Sequence, residues 1–290
     1  MALSTVVREW LNRAVRPAGL QIGTLTADRA RAARLAVLRA RGHFDRPAFA
    51  LSPGFGPPAG GQVFGWLAEF RADAAKLARS DDNAVGYSPD NGYFTTPDAD
   101  VYYAVVRGAM PGRVVEVGSG NSTRVARQAI LDGKLATQVV CVDPQPRVAV
   151  ADFCDRHVIG RVEDMPADDL LALLGADGLL FIDSSHACEA GGDVPYLFCH
   201  LLPRLPAGTL VHVHDVFLPY DYPADWAAGD ARTWDEQYLV HALLQGGGYE
   251  VLWPGYHLQR TLPGFAAHFS GGPVGQAQSL WLRKRAPAGR

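Results

Sequence analysis

The feature that most constrains the fold is a change of pattern near residue 113. From there, short apolar runs rich in Val, Ile and Leu alternate with helix-forming stretches. The runs occupy residues 113–117, 139–142, 158–162, 179–182 and 209–213. Continuous β-branched runs separated by helices are typical of a parallel sheet that is covered on both faces. The sequence therefore predicts an α/β domain.

Two further candidate strands, 249–253 and 279–283, follow a predicted helix near 233–244, and they would close the sheet as a β-hairpin of strands six and seven. Before residue 113 the pattern is helical and is broken by Pro and Gly, with a Pro/Gly-rich run at 51–61. We therefore expect three regions: an N-terminal helical extension over 1–60, a helical lead-in over 61–112, and the sheet domain over 113–285.

The composition indicates a globular protein that needs neither disulfide bonds nor a structural metal ion to fold. The 290 residues are 48% hydrophobic and 20% charged, enough to bury a full core. The four cysteines form no C-x-x-C pair, which argues against a zinc knuckle. Neither a stretch of about 20 apolar residues nor a signal-peptide pattern is present. We expect a cytoplasmic protein without a membrane span.

The N-terminal region is basic and amphipathic. Residues 1–46 hold nine arginines and three acidic residues, a net charge of +6 in a chain of net charge −3. A helix predicted over 3–16 carries an apolar stripe, and such stripes usually pack on a protein surface. The stripe consists of Val6, Val7, Trp10, Leu11, Ala14 and Val15. We expect packing within the chain or a homo-oligomer formed through the N-terminal helices, with a membrane surface as an alternative and no nucleic-acid partner.

A glycine-rich turn follows the first predicted strand. It reads Glu116-Val-Gly-Ser-Gly120, and glycines let a backbone turn sharply and approach a ligand closely. The dinucleotide fingerprint G-x-G-x-x-G needs a third glycine where this chain has Thr123, which disfavours NAD. The acidic Glu116 suits the positive amino acid end of S-adenosylmethionine (SAM). We predict that Glu116, Gly118, Ser119 and Gly120 bind SAM, with a plain strand-turn-helix as the structural alternative.

Acidic residues also end the next predicted strands. Asp143 ends the second strand, 23 residues after Gly120, where a carboxylate can accept both ribose hydroxyls. Glu163 and Asp164 end the third, where they would flank the adenine ring, and Asp183 ends the fourth. One acidic residue at a strand end is usually a solvated turn former. Several in register after successive strands favour a cofactor site.

Five motifs resemble a known family. They are Asp98-Ala-Asp-Val-Tyr-Tyr, Glu116-Val-Gly-Ser-Gly-Asn-Ser-Thr123, Phe181-Ile-Asp-Ser-Ser-His186, Val211-His-Val-His-Asp-Val-Phe-Leu-Pro-Tyr-Asp-Tyr-Pro223 and Trp234-Asp-Glu-Gln-Tyr238. From about residue 95 to 285 the chain resembles the class I SAM-dependent methyltransferases, and within them the bacterial methyltransferase-domain group, which is O-methyltransferase-like. The resemblance implies a SAM site on a Rossmann-like, seven-stranded methyltransferase sheet with helices on both faces, here with an N-terminal helical appendage. It does not fix the acceptor, because that group is functionally diverse.

Polar residues cluster after the fourth and fifth predicted strands. Asp183 and His186 follow the fourth, and His214 and Asp215 follow the fifth, so all four should converge beside the reacting methyl group. Related metal-dependent O-methyltransferases hold a divalent ion at these two strand ends. The resemblance therefore implies a metal site at Asp183, Asp215 and His214 for Mg, Mn, Fe or Zn, which would acidify an acceptor hydroxyl. The match is partial, since Val216 stands where the family has an amide side chain.

Other interpretations of these polar residues stay open. In a metal-free mechanism the catalytic residues are His214 or His186 as general base, with Asp183 beside them. In a structural interpretation the groups only satisfy each other's hydrogen bonds. His212 lies two residues from His214 on the same strand face, and we expect it to be a core histidine.

Aromatic residues are concentrated at 216–226, and a Gly- and Pro-rich insertion spans 254–277. Both are expected to wall a small-molecule pocket, with packing onto the sheet as the alternative. The sequence thus predicts SAM-dependent methyl transfer to a hydroxyl of a small molecule such as a sugar or secondary metabolite. N-methyl transfer and non-methylating alkyl transfer from SAM are alternatives, and a nucleotide-dependent oxidoreductase or a non-catalytic SAM-binding protein are rivals from other classes.

Overall fold

The structure is a computed structural model that describes residues 5–23, 25–56, 59–79, 82–228 and 234–286. It divides into two compact units. One comprises the described residues of 1–46 and 222–232, and the other those of 47–221 and 233–290.

The larger unit is built on one sheet, which has seven strands within the described ranges and the order β3-β2-β1-β4-β5-β7-β6. Strands β1 to β5 pair in parallel, whereas β7 is antiparallel to both β5 and β6. The strands are β1 Arg113–Val117, β2 Gln138–Val142, β3 Arg156–Val158, β4 Leu179–Ile182, β5 Leu210–Val213, β6 Tyr249–Pro254 and β7 Leu280–Lys284. The predicted Rossmann-like sheet with a closing β-hairpin is confirmed.

Alternate residues of the central strands feed two separate cores. In β1, Val114 packs in the core with the helices at 98–109 and 121–133, and Val115 packs in the core with those at 167–174 and 236–245. Because successive side chains point to opposite faces of a sheet, a strand that is apolar throughout needs a helical layer on each side. The helices of the larger unit are α3 Gly61–Glu69, α4 Arg71–Ala74, α5 Asp98–Ala109, α6 Asn121–Gly133, α7 Ala167–Leu174, α8 Asp193–Pro195 with a π-helical turn at Tyr196–Leu201, α10 Glu236–Gln245 and α11 Gly255–Thr261.

Six of the seven predicted strands begin and end within one residue of the observed bounds, and the third is wrong. We predicted it over 158–162, but β3 ends at Val158. Ile159 is 77% exposed, and Val162–Asp164 forms a 3₁₀ turn. A short apolar run occurs both in a strand and in a turn that has a buried residue, so the run alone does not tell which of the two forms.

The strand order reverses between β1 and β4, which lie side by side at the middle of the sheet. The chain leaves β1 towards β2 and β3 on one side, then crosses to β4 and β5 on the other. Ligands of such sheets bind at the carboxyl ends of the strands where this reversal opens a crevice. The site should therefore lie beyond Val117 and Ile182.

The smaller unit consists of α1 Thr5–Val15, α2 Thr26–Ala40 and α9 Ala224–Ala228, with Arg39 of α2 paired to Asp225 of α9 at 2.8 Å. The predicted helix at 3–16 is present over 5–15, and residues 3 and 4 lie outside the described range. Of the apolar stripe, Trp10 is 68% and Val7 is 44% exposed, and the side chain of Val6 is not among those described. Ala14 is also exposed, whereas Leu11 and Val15 are partly buried. A homo-oligomer through these helices stays a prediction.

Residues 47–56 pack with the sheet unit. The N–H groups of Ala48 and Phe49 donate to the carbonyl oxygen of Pro219 at 2.9 and 3.0 Å, and Phe55 is 2% exposed. Residues 57 and 58 lie outside the described range. The compact units divide near residue 46, and the N-terminal extension over 1–60 stays a prediction. Within the described residues, none of the helices has the length and apolar character needed to cross a membrane.

Candidate active site

The glycine turn after β1 is held between the ends of two neighbouring strands. Gly118 has φ +81°, and its N–H donates to the carbonyl oxygen of Val142 in β2 at 3.2 Å. A Cβ at Gly118 would lie 1.9 Å from the carbonyl oxygen of Asp183, which follows β4. Both the dihedral angle and this close approach require glycine. A Cβ at Gly120 would meet only Val148, at 3.9 Å. The backbone of Gly120 lines an open cavity.

The side chain of Glu116 lies beneath this turn and is fully buried. One carboxylate oxygen accepts from the Tyr102 hydroxyl at 2.9 Å and the other from the Thr123 hydroxyl at 2.5 Å. The Thr123 oxygen in turn accepts from the Gly120 N–H at 3.1 Å. Burial raises the pKa of Glu116 to about 7, although both hydroxyls oppose the rise. Glu116 thus supports the turn from below, and it does not line either of the two cavities beside the turn.

A first cavity of about 470 Å³ opens at the carboxyl ends of β1, β2 and β4. It is lined by five residues predicted to bind the cofactor, namely Gly118, Ser119, Asp143, Glu163 and Asp183. The exposed Asp164 is not among its lining residues. These residues come from four separate segments, and only the strand order brings them together.

Asp143 is 8% exposed and is already engaged by the chain. One oxygen accepts from the N–H and hydroxyl of Ser119, at 2.8 and 2.9 Å, and the other accepts from the Gln145 N–H at 2.8 Å. A carboxylate offers about four acceptor positions, so it can hold the turn and still accept from a ligand hydroxyl. Asp143 therefore links the glycine turn to the end of β2 at the cavity wall.

A second cavity of about 670 Å³ adjoins the first and shares Ser119, Arg147 and Asp183 with it. Tyr93 and Phe94 form an aromatic wall of this cavity. The guanidinium of Arg147 lies over the Tyr93 ring, 5.1 Å from its centroid. A cavity of this size, with aromatic walls and a few polar groups, suits a small molecule.

The loop that carries these aromatics is organised by Asn91. Its amide nitrogen donates to the carbonyl oxygens of Ser88 and Phe94 at 2.7 and 2.9 Å, and its amide oxygen accepts from the N–H groups of Tyr93 and Phe94 at 2.9 and 2.8 Å. The Phe94 ring is 3% exposed and lies 5.3 Å from the ring of His214. This loop therefore connects the cavity wall to the end of β5.

Three predicted residues meet where β4 and β5 end. Nε2 of His186 lies 3.2 Å from an oxygen of Asp183 and 3.4 Å from an oxygen of Asp215. One ligand atom from each of these residues lies within 4.8 Å of the others. The predicted ligand His214 stands further off, with Nε2 3.9 Å from Asp215. The structure thus places His186, rather than His214, between the two aspartates.

Glu236, at the start of α10, completes the cluster. Its carboxylate is fully buried, with Oε1 2.5 Å from Nδ1 of His186. Burial would lower the pKa of His186, but Glu236, Asp183 and Asp215 raise it well above its ordinary value. The raised pKa favours the imidazolium form of His186 among these three carboxyl groups, which makes it a poor proton acceptor.

The two aspartates differ in their surroundings. Burial raises the pKa of Asp215 to about 6, against the effect of His214 and His186. Desolvation also disfavours the charge on Asp183, but His214 and His186 outweigh it and lower the pKa of that residue. Asp183 is 32% exposed at the cavity wall, whereas Asp215 is 8% exposed and has one oxygen without a hydrogen-bond partner.

His214 and His212 lie behind this cluster. Burial lowers the pKa of His214, but Asp215, Asp183 and Asp98 together raise it. His212 is fully buried, with its ring 4.0 Å from Phe181, and burial lowers its pKa well below the ordinary value. It is therefore a core histidine, as expected.

Sequence reasoning missed some residues and misplaced others. Glu236 belongs to a motif that had been singled out but not assigned to the site, and nothing local marked Tyr93 or Arg147. The aromatic residues of the loop after β5 line neither described cavity. Phe217 and Tyr220 instead pack edge-to-face on Tyr256, at 5.1 and 5.4 Å, which fits the packing alternative.

Comparison with protein families agrees with this geometry. Residues 115–216 match a family model described as a methyltransferase domain. The match includes the glycine turn, Asp143 and both strand ends of the cluster. Within residues 115–216 the chain therefore carries a methyltransferase domain, as its resemblance to the class I SAM-dependent methyltransferases implied. The oxidoreductase and the non-catalytic binding protein are thereby set aside. No curated protein gives a significant sequence match.

Several solved structures are similar to this chain. One is the O-methyltransferase TomG from Streptomyces achromogenes in complex with SAM, with 17% identity, 76% of this chain and 90% of that chain covered, and a TM-score of 0.41. The SAH-bound methyltransferase PaMTH1 of Podospora anserina has 17% identity, covering 92% of this chain and 98% of that chain, with a TM-score of 0.41. Cofactor-bound Rv0187 from MTB has 16% identity, covering 76% and 89%, with a TM-score of 0.42.

Proposed function

We propose that this enzyme transfers the methyl group of SAM to a hydroxyl oxygen of a small molecule, with the acceptor held at the cluster of Asp183, His186 and Asp215. The observation that carries the proposal is the position of Asp183. It lines both cavities and belongs to the cluster, so the reacting atoms would meet beside it.

In this proposal the first cavity holds the cofactor. Asp143 would accept the ribose hydroxyls, and the turn at Gly118 and Ser119 would follow the methionine portion. Glu163, which also lines this cavity, would lie beside the adenine. The lowered pKa of Asp183 keeps it a carboxylate, and a negative charge there favours a cationic sulfonium at the junction of the cavities.

The cluster fits a divalent metal ion. Ligand atoms about 2.1 Å from one ion and at right angles to each other stand about 3 Å apart, and Nε2 of His186 lies 3.2 and 3.4 Å from the two carboxylates. The unpaired buried oxygen of Asp215 supports the same fit. Two carboxylates with one imidazole suit manganese, iron or zinc better than magnesium. When bound, such an ion would acidify the acceptor hydroxyl.

The chain's own residues set the conditions for this ion. Nε2 of His186 must give up its proton before it can be a ligand, because a protonated imidazole has no lone pair to offer. Without an ion, that proton itself neutralises the repulsion between Asp183 and Asp215. We therefore propose Asp183, His186 and Asp215 as the ligand set, and we give His214 the role of a buried neighbour that tunes Asp215.

A metal-free mechanism is the second candidate, and one observation favours it. The pKa of about 6 at Asp215 suits a general base near neutral pH. However, the unpaired oxygen of Asp215 is shielded from solvent, so an acceptor would reach it only through movement of the loop. His186, with its raised pKa, is less suited to that role.

The test is the metal dependence of methyl transfer. SAH formation is measured with a panel of phenolic, sugar and amine acceptors, before and after chelation, for wild type, Asp183→Asn and Asp215→Asn. Asp168→Asn, at an exposed ion pair with Arg204, is the matched control. We expect chelation and both cluster variants to lower the rate at least about 100-fold, with added Mn²⁺ restoring only the wild type and the control.

Other outcomes separate the alternatives. Activity that survives chelation but is lost in Asp215→Asn supports the metal-free base. Turnover with amines alone moves the acceptor atom to nitrogen. Full activity of both cluster variants after chelation contradicts both mechanisms.

A further inference from the structure

The segment 234–238 clamps the loop that follows β4. The ring of Trp234 lies 4.3 Å from the ring of His186. The N–H of Asp235 donates to the carbonyl oxygen of His186 at 3.0 Å, and the carboxylate of Asp235 accepts from the N–H of Cys188 at 2.6 Å. His186 has φ +63°, which is uncommon for a residue other than glycine. Tertiary contacts of this kind hold such a conformation in place.

The same segment also reaches the loop after β5. The side-chain oxygen of Gln237 accepts from the N–H of Phe217 at 3.1 Å, and the hydroxyl of Tyr238 donates to Asp221 at 2.7 Å. Residues 234–238 therefore join the two strand-end loops that supply the cluster. Glu236, at the middle of the segment, is the member whose side chain contacts the imidazole nitrogen.

Glu236 and the two aspartates lie on opposite sides of one imidazole ring. Nδ1 of His186 is 2.5 Å from Glu236, while Nε2 faces Asp183 and Asp215. The second oxygen of Glu236 is buried without a hydrogen-bond partner. A buried, half-satisfied carboxylate lowers stability, so stability alone does not explain a glutamate at this position.

We propose that Glu236 is a positioning residue of the active site, which keeps a proton on Nδ1 of His186 and aims Nε2 at the space between Asp183 and Asp215. An ionised carboxylate only accepts hydrogen bonds, so the nitrogen beside it is the one that carries the proton. A carboxylate behind a ligating histidine fixes both the tautomer and the ring orientation. The metal part of this inference rests on the proposed function, whereas the Nδ1–H bond does not.

The first test measures Mn²⁺ affinity by calorimetry on the SAH-saturated full chain. We expect Glu236→Ala to weaken Mn²⁺ binding about 10- to 100-fold, and Glu236→Gln to weaken it less, because its amide oxygen still accepts from Nδ1–H. Glu250→Gln is the matched control, since it changes a half-exposed glutamate of β6, paired with Arg283, outside the segment 234–238. It should bind Mn²⁺ like wild type. SAH affinity should stay within about threefold in all variants, which reports an intact cofactor site.

The second test reads the hydrogen bond directly by NMR of ¹⁵N-histidine-labelled protein. In wild type we expect a downfield proton resonance on Nδ1 of His186, kept in Glu250→Gln and lost in Glu236→Ala. This signature does not depend on whether a metal binds. If wild type does not bind Mn²⁺, the metal part of the proposed function is wrong. The NMR measurement still tests whether Glu236 keeps a proton on Nδ1 of His186.

Two results overturn the inference. One is a wild-type His186 that lacks a proton on Nδ1. The other is a Glu236→Ala variant that keeps wild-type Mn²⁺ affinity together with the downfield resonance.

Discussion

Replacing Glu116 by Gln tests whether the carboxylate under the glycine turn takes up a proton when the chain folds. In the folded state its pKa is about 7, raised by burial from an ordinary value of 4.5. The folded state therefore holds this proton more tightly than the unfolded chain. The stability it contributes is fully present below about pH 4.5 and is lost as the pH rises through about 7.

The magnitude follows from the size of the shift. A difference of about 2.5 pKa units at about 1.4 kcal/mol per unit gives about 3 kcal/mol, of which about 2.5 kcal/mol falls between about pH 5 and about pH 8. Glu116→Gln removes the titrating group. It also leaves one of the hydroxyls of Tyr102 and Thr123 without an acceptor, at a cost that does not depend on pH. The pH dependence of the difference between the two proteins is therefore the informative quantity.

The assay is urea unfolding of wild type and Glu116→Gln, followed by tryptophan fluorescence at several pH values without cofactor. The stability of wild type relative to the variant should fall by about 2.5 kcal/mol from about pH 5 to about pH 8. Glu250→Gln makes the same substitution at a half-exposed side chain of β6. It shows how far a Glu-to-Gln change alters the free energy of unfolding when the carboxylate is not in the core. A difference that stays constant with pH would falsify the reasoning.

Three further predictions concern the cofactor site and the unit boundary. Asp143→Ala should weaken SAH binding by about 2–3 kcal/mol in calorimetry, since it removes charge-assisted hydrogen bonds to the ribose; unchanged affinity excludes Asp143 from the site. Gly118→Ala should lower the free energy of unfolding by on the order of 3 kcal/mol or more, because its Cβ would overlap the carbonyl oxygen of Asp183, whereas Gly160→Ala, in open space, should have little effect in the same urea titration. Deleting 1–46 should leave a folded sheet unit that binds SAH, and deleting 1–60 should lower its melting temperature because the buried Phe55 is lost; equal melting temperatures would argue against the boundary near residue 46.

The sheet could be predicted closely because its signals are local. An apolar run, the helix-forming stretch after it and the glycines that end β1 all depend on a few consecutive residues. The third strand was placed wrongly because Val162 is buried in a turn. A residue buried in a turn is as apolar as one buried in a strand, so the sequence does not distinguish the two. The convergence of Asp183 and Asp215 was predictable for the same local reason, since neighbouring parallel strands bring their carboxyl ends together.

What the sequence determined by itself was the α/β class, the glycine turn and which residues stand at the strand ends. Only the tertiary structure decided which atoms those residues meet. In the structure, Glu116 lies under the glycine turn and accepts hydrogen bonds from Tyr102 and Thr123. His186, rather than His214, lies between the two aspartates. The tertiary structure also brought Glu236 to His186 across 50 residues of chain. Periodicity and turn chemistry act over a few residues, whereas the pairing of buried charges depends on how whole helices and loops pack, and no local pattern encodes that.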